Sequence, residues 1–295
     1  MNNHHWRASS LVILSAILYG FMGYLGTHIV DNHISMDAML FWRFLIAGCW
    51  MLPFLLGTHT GRQKLFHLHK RTVIWILTLG ALGYAGSSGF YFASSQYIGT
   101  GLGMVIFFSY PAMIALASWF FYGSKLTLTI ILTLITMLWG LYLLHDASHQ
   151  QINVLGIVFG LLSAASYAFY LIGSKHSLAG KLDATVATLL VCIGCAFLFL
   201  ILTLVKHHFA YPPSWQTWGY CLVLGVIATA LPIQLMLEGL KHISAMRAGI
   251  ISVLEPLVTV FLGVWLLHEA ISIAQMFGTI VILASAVLIQ FKKEL

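Results

Sequence analysis

Ten apolar runs, each close to the length of a bilayer-crossing helix and separated by short polar breaks, dominate this chain and decide what solvent it can fold in. Of its 295 residues, 60% are apolar and only 7% are charged, so the runs lack the solvated face that a helix in water requires. A bilayer's hydrocarbon core takes about 20 residues per helix. The runs fall at 9–30, 37–57, 72–94, 97–122, 126–145, 153–174, 183–205, 215–240, 244–267 and 271–291. The expected fold class is therefore an all-α integral membrane protein of ten transmembrane helices, with almost no chain left over for a soluble domain.

The charges give these spans a direction. With the N-terminus placed in the cytoplasm, Arg7, Arg62, Lys64, Lys70, Arg71, Lys125, Lys175, Lys181, Lys241, Lys292 and Lys293 all fall on cytoplasmic connections, eleven of the 14 basic residues. Lys206 alone falls on the other side, together with Asp31, Asp146 and Glu269, while Arg43 and Arg247 lie within spans. The positive-inside rule then puts both termini in the cytoplasm, in a multi-pass protein of a bacterial inner membrane. The run at 9–30 is too long for a signal peptide, lacks a clear small-residue cleavage site and has a counterpart later in the chain. The net charge of +6 does not indicate nucleic acid, because the basic residues punctuate the apolar runs instead of gathering on one face. Cys49, Cys192, Cys195 and Cys221 all sit inside spans, which argues against a disulfide framework or a zinc ribbon.

The second half repeats the first at an offset near 145 residues. Asp37-Ala38 and Gly48-Cys49 fall on Asp183-Ala184 and Gly194-Cys195; Leu79-Gly80 falls on Leu224-Gly225; Ile98 and Pro111 fall on Ile243 and Pro256; Tyr19 falls on Tyr167 after a small insertion. The expected division is 1–147 and 148–295. Five crossings per unit is an odd number, so the second copy enters from the opposite face and the two repeats are inverted. Such halves can exchange conformations and expose a site between them to each side in turn.

The stretch Ala245 to Glu269, AMRAGIISVLEPLVTVFLGVWLLHE, resembles the penultimate helix of EamA-type members of the drug/metabolite transporter superfamily, above all in Glu255-Pro256 and the terminal Glu269. Arg43-Phe44 in the second span and the small residues before Tyr110-Pro111 are similar to that family too. The resemblance implies a basket of ten helices around a central cavity, lined mainly by helices 1, 3, 4, 6, 8 and 9, with helices 5 and 10 peripheral. It does not imply one substrate. The chain departs from internal symmetry at one point: Glu255 in the second repeat is matched by Tyr110 in the first.

A charge deep in a span costs about 2.5 to 3.5 kcal/mol on insertion scales, so it usually faces a cavity or a partner. Glu255 carries Ser252 and Thr259 on its own face. It is read either as a site for a cationic group or a proton, or as a structural carboxylate across the Pro256 bend. Arg43 either binds an anionic group, pairs with a carboxylate, or snorkels to the interface. Tyr84, Ser88 and Tyr91 share one helical face, and Tyr19, Tyr110 and Tyr167 lie deep in their spans. Their rings suit a cavity wall that holds planar groups or an ammonium by cation–π attraction, or else they pack between helices. Gln234 offers an amide for substrate or for a neighbouring helix. The candidate substrate-binding set is thus Tyr19, Arg43, Tyr84, Ser88, Tyr91, Tyr110, Tyr167, Gln234, Ser252 and Glu255.

No catalytic residue, metal site or cofactor is expected. His67-His69 and His207-His208 fall on opposite sides of the membrane, and Gly99, Gly101 and Gly103 follow no strand that would make them a phosphate loop. With no nucleotide motif for ATP hydrolysis, the expected activity is secondary active or facilitative transport of a small metabolite, amino-acid-like or an organic cation, by export or exchange. The expected partners are that small molecule and the lipid bilayer. Proton coupling and oligomeric state stay open. A membrane receptor or assembly protein is the alternative, followed by an intramembrane enzyme, for which no paired aspartates or metal-spaced helix motif is present.

Overall fold

The computed structural model describes residues 3–30, 32, 34–144, 153–176, 182–267 and 272–290. Among them there is helix and no strand. Asp31, Asp146, Lys181, Glu269, Lys292, Lys293 and the boundary expected at 147/148 lie outside the described residues. Seven stretches are long and apolar enough to cross a membrane, namely Trp6–Val30, Met36–Leu56, Lys70–Phe107, Val154–His176, Ala184–Val205, Trp215–Leu240 and Ala245–Leu266, and two shorter apolar helices accompany them. Phe120, Phe121 and Phe261 on the outside are each more than 60% exposed. That suits a protein whose solvent is lipid rather than water.

The helices in chain order are α1 (Asn3–Val30), α2 (Met36–Leu56), α3 (His59–Phe66), α4 (Lys70–Thr78), α5 (Gly86–Phe107), α6 (Tyr110–Tyr122), α7 (Leu128–Leu144), α8 (Val154–His176), α9 (Ala184–Val205), α10 (Trp215–Gly225), α11 (Leu231–Leu240), α12 (Ala245–Ser252), α13 (Leu254–Leu267) and α14 (Ile273–Gln290). A π-helical turn, Leu79–Ala85, joins α4 to α5, and another, Val226–Ala230, joins α10 to α11.

Several breaks fall elsewhere than the apolar runs suggest. The chain turns inside α5 at Gly99, whose φ of 77° and ψ of 159° suit a residue without a side chain, so the third run extends through Ile98. The fourth run is divided at Phe108 and Ser109, and the ninth at Val253. Pro111 and Pro256 each stand in the first turn of a helical segment, where a missing N–H costs least, while Pro232 directly follows the π-helical turn inside the continuous span Trp215–Leu240.

The framework is the antiparallel pair α2 and α9. Asp37 in the first turn of α2 receives Lys206, just past the end of α9, at 2.8 Å. Asp183, the N-cap of α9, receives Lys64, beyond the end of α2, also at 2.8 Å. Between these ends, close backbone approaches bring in the helices alongside. A Cβ on Gly80 would lie 2.5 Å from the Val191 carbonyl oxygen in α9, and one on Gly225 would lie 2.6 Å from the Ile46 side chain in α2. Around this pair α5 packs on α8, α1 on α10 and α11, α6 on α8 and α12, α1 on α12 and α13, and α7 on α14.

Burial tends to raise the Asp183 carboxyl, but the Lys64 ammonium and the Thr185 N–H outweigh it, and its pKa lies below the ordinary 3.8. The same contact raises Lys64 above 10.5. A carboxyl lowered by folding stabilises above its unfolded pKa and loses that contribution as pH falls through the folded one. A raised lysine loses its contribution as pH climbs past 10.5. The thermal midpoint of Asp183→Asn relative to the parent should therefore show its deficit at neutral pH, and the two curves should converge below about pH 4. A deficit that persists unchanged in acid would mean that the ion pair contributes nothing.

Gly80→Val should lower the thermal midpoint of purified protein, at a cost of about 1–3 kcal/mol or more, since backbone blocks the added carbon. Gly89→Ala, where a Cβ meets nothing within 4 Å, serves as the neutral reference. Equal midpoints for the two would show that α9 and the π-helical turn are not tightly packed.

Candidate functional site

Arg43 is 2% exposed and so does not snorkel to the interface. Its Nε donates to Thr229 Oγ1 at 2.6 Å and its Nη2 to the Tyr84 hydroxyl at 3.3 Å. Its guanidinium also lies 4.9 Å from the centre of the Phe44 ring. The two acceptors belong to the two π-helical turns, Tyr84 to Leu79–Ala85 and Thr229 to Val226–Ala230. A π turn leaves backbone carbonyls out of the regular ladder. Thr229 answers this by donating its own hydroxyl to the Leu224 carbonyl at 2.8 Å, which aims its oxygen lone pairs at Arg43.

From Arg43 the polar chain continues into an aromatic cluster. The Tyr84 hydroxyl donates to the Tyr19 hydroxyl at 2.9 Å. The Tyr84 ring stands edge-on to Phe44, Tyr167 and Tyr170 at centroid distances of 5.6, 5.8 and 5.1 Å. Tyr167 meets Tyr110 at 4.7 Å and Phe107 at 5.4 Å, and Tyr91 reaches the same cluster through Phe107 at 5.9 Å. These edge-to-face contacts suit rings whose faces are negative and whose edges are positive. Tyr19, Tyr84, Tyr110 and Tyr167 are all buried.

The breaks in the fourth and ninth runs bring Tyr110 and Glu255 to this cluster. Tyr110 opens α6 directly after its break, and its hydroxyl donates to the Gly249 carbonyl of α12 at 3.3 Å. Glu255 stands in the first turn of α13, one helix segment further on. Thr259, one turn along from Glu255, ties α13 to α1 by donating to the Gly20 carbonyl at 3.1 Å. The Tyr110 hydroxyl on the Gly249 carbonyl and the Thr259 hydroxyl on the Gly20 carbonyl, next to Tyr19, bring the start of α13, and with it the Glu255 carboxylate, beside these tyrosines. Among the described residues that carboxylate forms no ion pair and receives no hydrogen bond. Glu255 and Tyr91 are half-buried.

The sequence profile of the EamA-like transporter family matches residues 6–145 and again residues 154–291. The chain belongs to the EamA-like transporter family. It is 26% identical over 278 residues to an uncharacterized transporter of Archaeoglobus fulgidus, covering 94% of each chain. It is 24% identical over 286 residues to the uncharacterized inner membrane transporter YicL of Salmonella typhimurium, covering 94% of this chain and 93% of that one. To the uncharacterized transporter YcbK of Bacillus subtilis it is 34% identical over 156 residues, about half of each chain at 49% and 48%. A crystal structure of a protein 17% identical in sequence shares the fold at a TM-score of 0.83, over 96% of this chain and 98% of that one. This is an EamA-like, multi-pass integral membrane transporter.

Within this EamA-like chain the structure gathers Tyr19, Arg43, Tyr84, Tyr91, Tyr110, Tyr167 and Glu255 into one region. The other candidates bond to their surroundings. Gln234 donates to Thr185 Oγ1 in the first turn of α9 at 2.9 Å, Ser88 to the Tyr84 carbonyl at 3.2 Å, and Ser252 to the Ala248 carbonyl at 2.9 Å. Arg247, within the ninth run, is buried at 6% exposure. Among the described residues no three His, Cys, Asp or Glu side chains are placed to hold a metal.

Sequence reasoning passed over Thr229 and Tyr170. Thr229 stands 145 residues after Tyr84, the same offset that aligns the two halves, so the repeat itself pointed to it. Tyr170 lies one turn from Tyr167 and was there to be found by helical spacing. Replacing Thr229 with Val removes the acceptor from a buried charged donor. It should destabilise the protein by about 1.5–3 kcal/mol, read as a lowered thermal midpoint, whereas Ser88→Ala should shift it little. A Thr229→Val midpoint at the parental value would show that Arg43 does not depend on this bond.

Proposed function

We propose that this EamA-like protein is a secondary active or facilitative carrier that moves a small metabolite, amino-acid-like or an organic cation, by alternating access, as an exporter or exchanger. It is not an enzyme. Its spans number ten and form two inverted repeats, 1–147 and 148–295, in a bacterial inner membrane with both termini cytoplasmic.

The pairing of the helices supports this organisation. Exchanging each element of one half for its counterpart near 145 residues away turns the α5–α8 contact into the contact of α1 with α10 and α11, turns α6–α8 into α1–α13, and leaves α2–α9 and α7–α14 as they are. The same exchange converts the Lys64–Asp183 pair into Lys206–Asp37. The two π-helical turns correspond under it, and so do the breaks before Tyr110 and after Ser252. The family profile fits each half separately, at 6–145 and 154–291. An odd number of crossings per half then requires opposite orientation.

The observation that carries the functional reading is Glu255: a half-buried residue whose carboxylate is unpaired among the described residues, beside the tyrosine cluster at the junction of broken helices from both halves. Such a charge inside a membrane protein is costly to keep without use, and its position between the halves lets either face reach it in turn.

Purified protein in liposomes should give saturable, solute-specific flux. Glu255→Gln and Tyr110→Ala should each reduce that flux at least tenfold, while Trp215→Ala, at a position 92% exposed, should retain it. Flux unchanged in both site variants would remove the site from transport, and solute binding without any flux would favour a receptor.

A further inference from the structure

The two charges at the centre are not alike in what they have left to offer, and this narrows the substrate. We propose that the site takes a solute with one protonated amine, seated on Glu255 against the tyrosine rings, while Arg43 is withheld from the solute and serves as a fixed counter-charge. The proposal rests on the carrier reading and specifies its substrate class.

Arg43 is bonded at two of its three guanidinium nitrogens and is almost wholly enclosed. Thr229 takes its Nε, Tyr84 takes its Nη2, Phe44 lies against its guanidinium, and the residue is 2% exposed. With so little surface left, a solute carboxylate could not reach its remaining N–H groups without moving the Tyr84 side chain that closes over it. The Tyr84 hydroxyl is committed to Tyr19, and its ring is fixed among Phe44, Tyr167 and Tyr170. The two acceptors of Arg43 are, moreover, the corresponding residues of the two halves, 145 positions apart. One guanidinium thus joins the π-helical turns of both repeats, which is a structural task that binding a solute anion would undo.

Glu255 is the opposite case. Its carboxylate has no hydrogen bond or ion pair among the described residues, the residue is half-buried, and it opens α13, which is tied through Thr259 to Gly20 beside Tyr19 and follows the segment that receives the Tyr110 hydroxyl. A carboxylate beside aromatic rings is the combination that receives an ammonium, by direct charge pairing and by attraction to the ring faces. An arriving ammonium favours the ionised form of Glu255, and the fixed charge of Arg43 then opposes the bound cation. That opposition allows release, which a carrier needs as much as capture.

The test uses three probes that share one ring and differ in charge: 2-phenylethylamine, phenylalanine and phenylacetate. Binding to the purified full chain in nanodiscs is measured by calorimetry, separately from flux in liposomes. The amine should bind at least tenfold more tightly than the amino acid or the acid. Glu255→Gln should abolish that preference and Glu255→Asp should keep part of it. Arg43→Met should tighten the amine several-fold by removing the opposing charge, an effect that a purely structural arginine would not produce.

Tighter binding of phenylalanine than of the amine would overturn the proposal and make Arg43 a carboxylate receptor. Failure of all three probes to bind would overturn it as well. Should Arg43→Met not fold, the ranking of the three probes on the unaltered chain still decides. Amine binding without flux of any solute would reject the carrier reading and leave the assignment of Glu255 in place. Flux of other solutes without amine binding would do the reverse.

Discussion

The burial of one guanidinium orders much of the interior. Arg43 cannot be neutralised by losing its proton, and its place in the second span gives it no short route to water. The protein therefore surrounds it with a threonine, a tyrosine hydroxyl and a ring face. Each of these must itself be held in place. Thr229 is held by the π-turn carbonyl of Leu224, and Tyr84 by Tyr19 and the packed rings around it. Satisfying a single charge in this way fixes the relative positions of α2, the two π-helical turns and α1.

Irregular backbone in such a setting has a definite use. In an apolar medium a regular helix satisfies its own backbone groups, and departures from it persist only where protein or enclosed water answers the freed ones. Here the departures coincide with the polar interior. The π-helical turns carry Tyr84 and Thr229, the break after Phe107 precedes Tyr110, and the break at Val253 precedes Glu255. Prolines at the starts of α6 and α13 make those restarts inexpensive, because an N–H is least needed at that place, and Pro232 follows directly on a π-helical turn. The same segments that hold the polar groups are thus the ones least bound by helical geometry, and in a carrier these are the segments able to bend.

Much of this was legible in the sequence, and what was not has a physical cause. The limits of the tenth-to-fourteenth helices' longest span, Trp215–Leu240, follow directly from hydropathy because polar loops bound it on both sides. The turn at Gly99 was missed because its neighbours are as apolar and small as a helix interior, and only the positive φ distinguishes it. Single residues were ambiguous for a related reason: Arg43, Gln234 and Glu255 all read as polar groups in apolar helices. Only their neighbours separate an arginine bonded to Thr229, and a glutamine bonded to Thr185, from a glutamate with no such bond. Those neighbours come from helices more than 40 residues away in sequence, beyond the reach of any local pattern. The internal repeat was the one long-range signal available, and it would have led from Tyr84 to Thr229.

The repeat also explains why the exceptions to it matter. Duplicated halves give matched helix pairs, matched ion pairs and matched π turns, and a fully symmetric interior would present the same groups to both sides. Arg43 corresponds to Leu189 and Glu255 to Tyr110 at the offsets that align their surroundings. Both charges thus occupy places where one half has a group that the other lacks. In the carrier we propose, a symmetric frame supplies two equivalent end states, while an unsymmetric pair of charges gives the solute one orientation and one charge preference in both. The frame and its contents therefore answer different requirements: the first sets how the protein can move, and the second sets what it can hold.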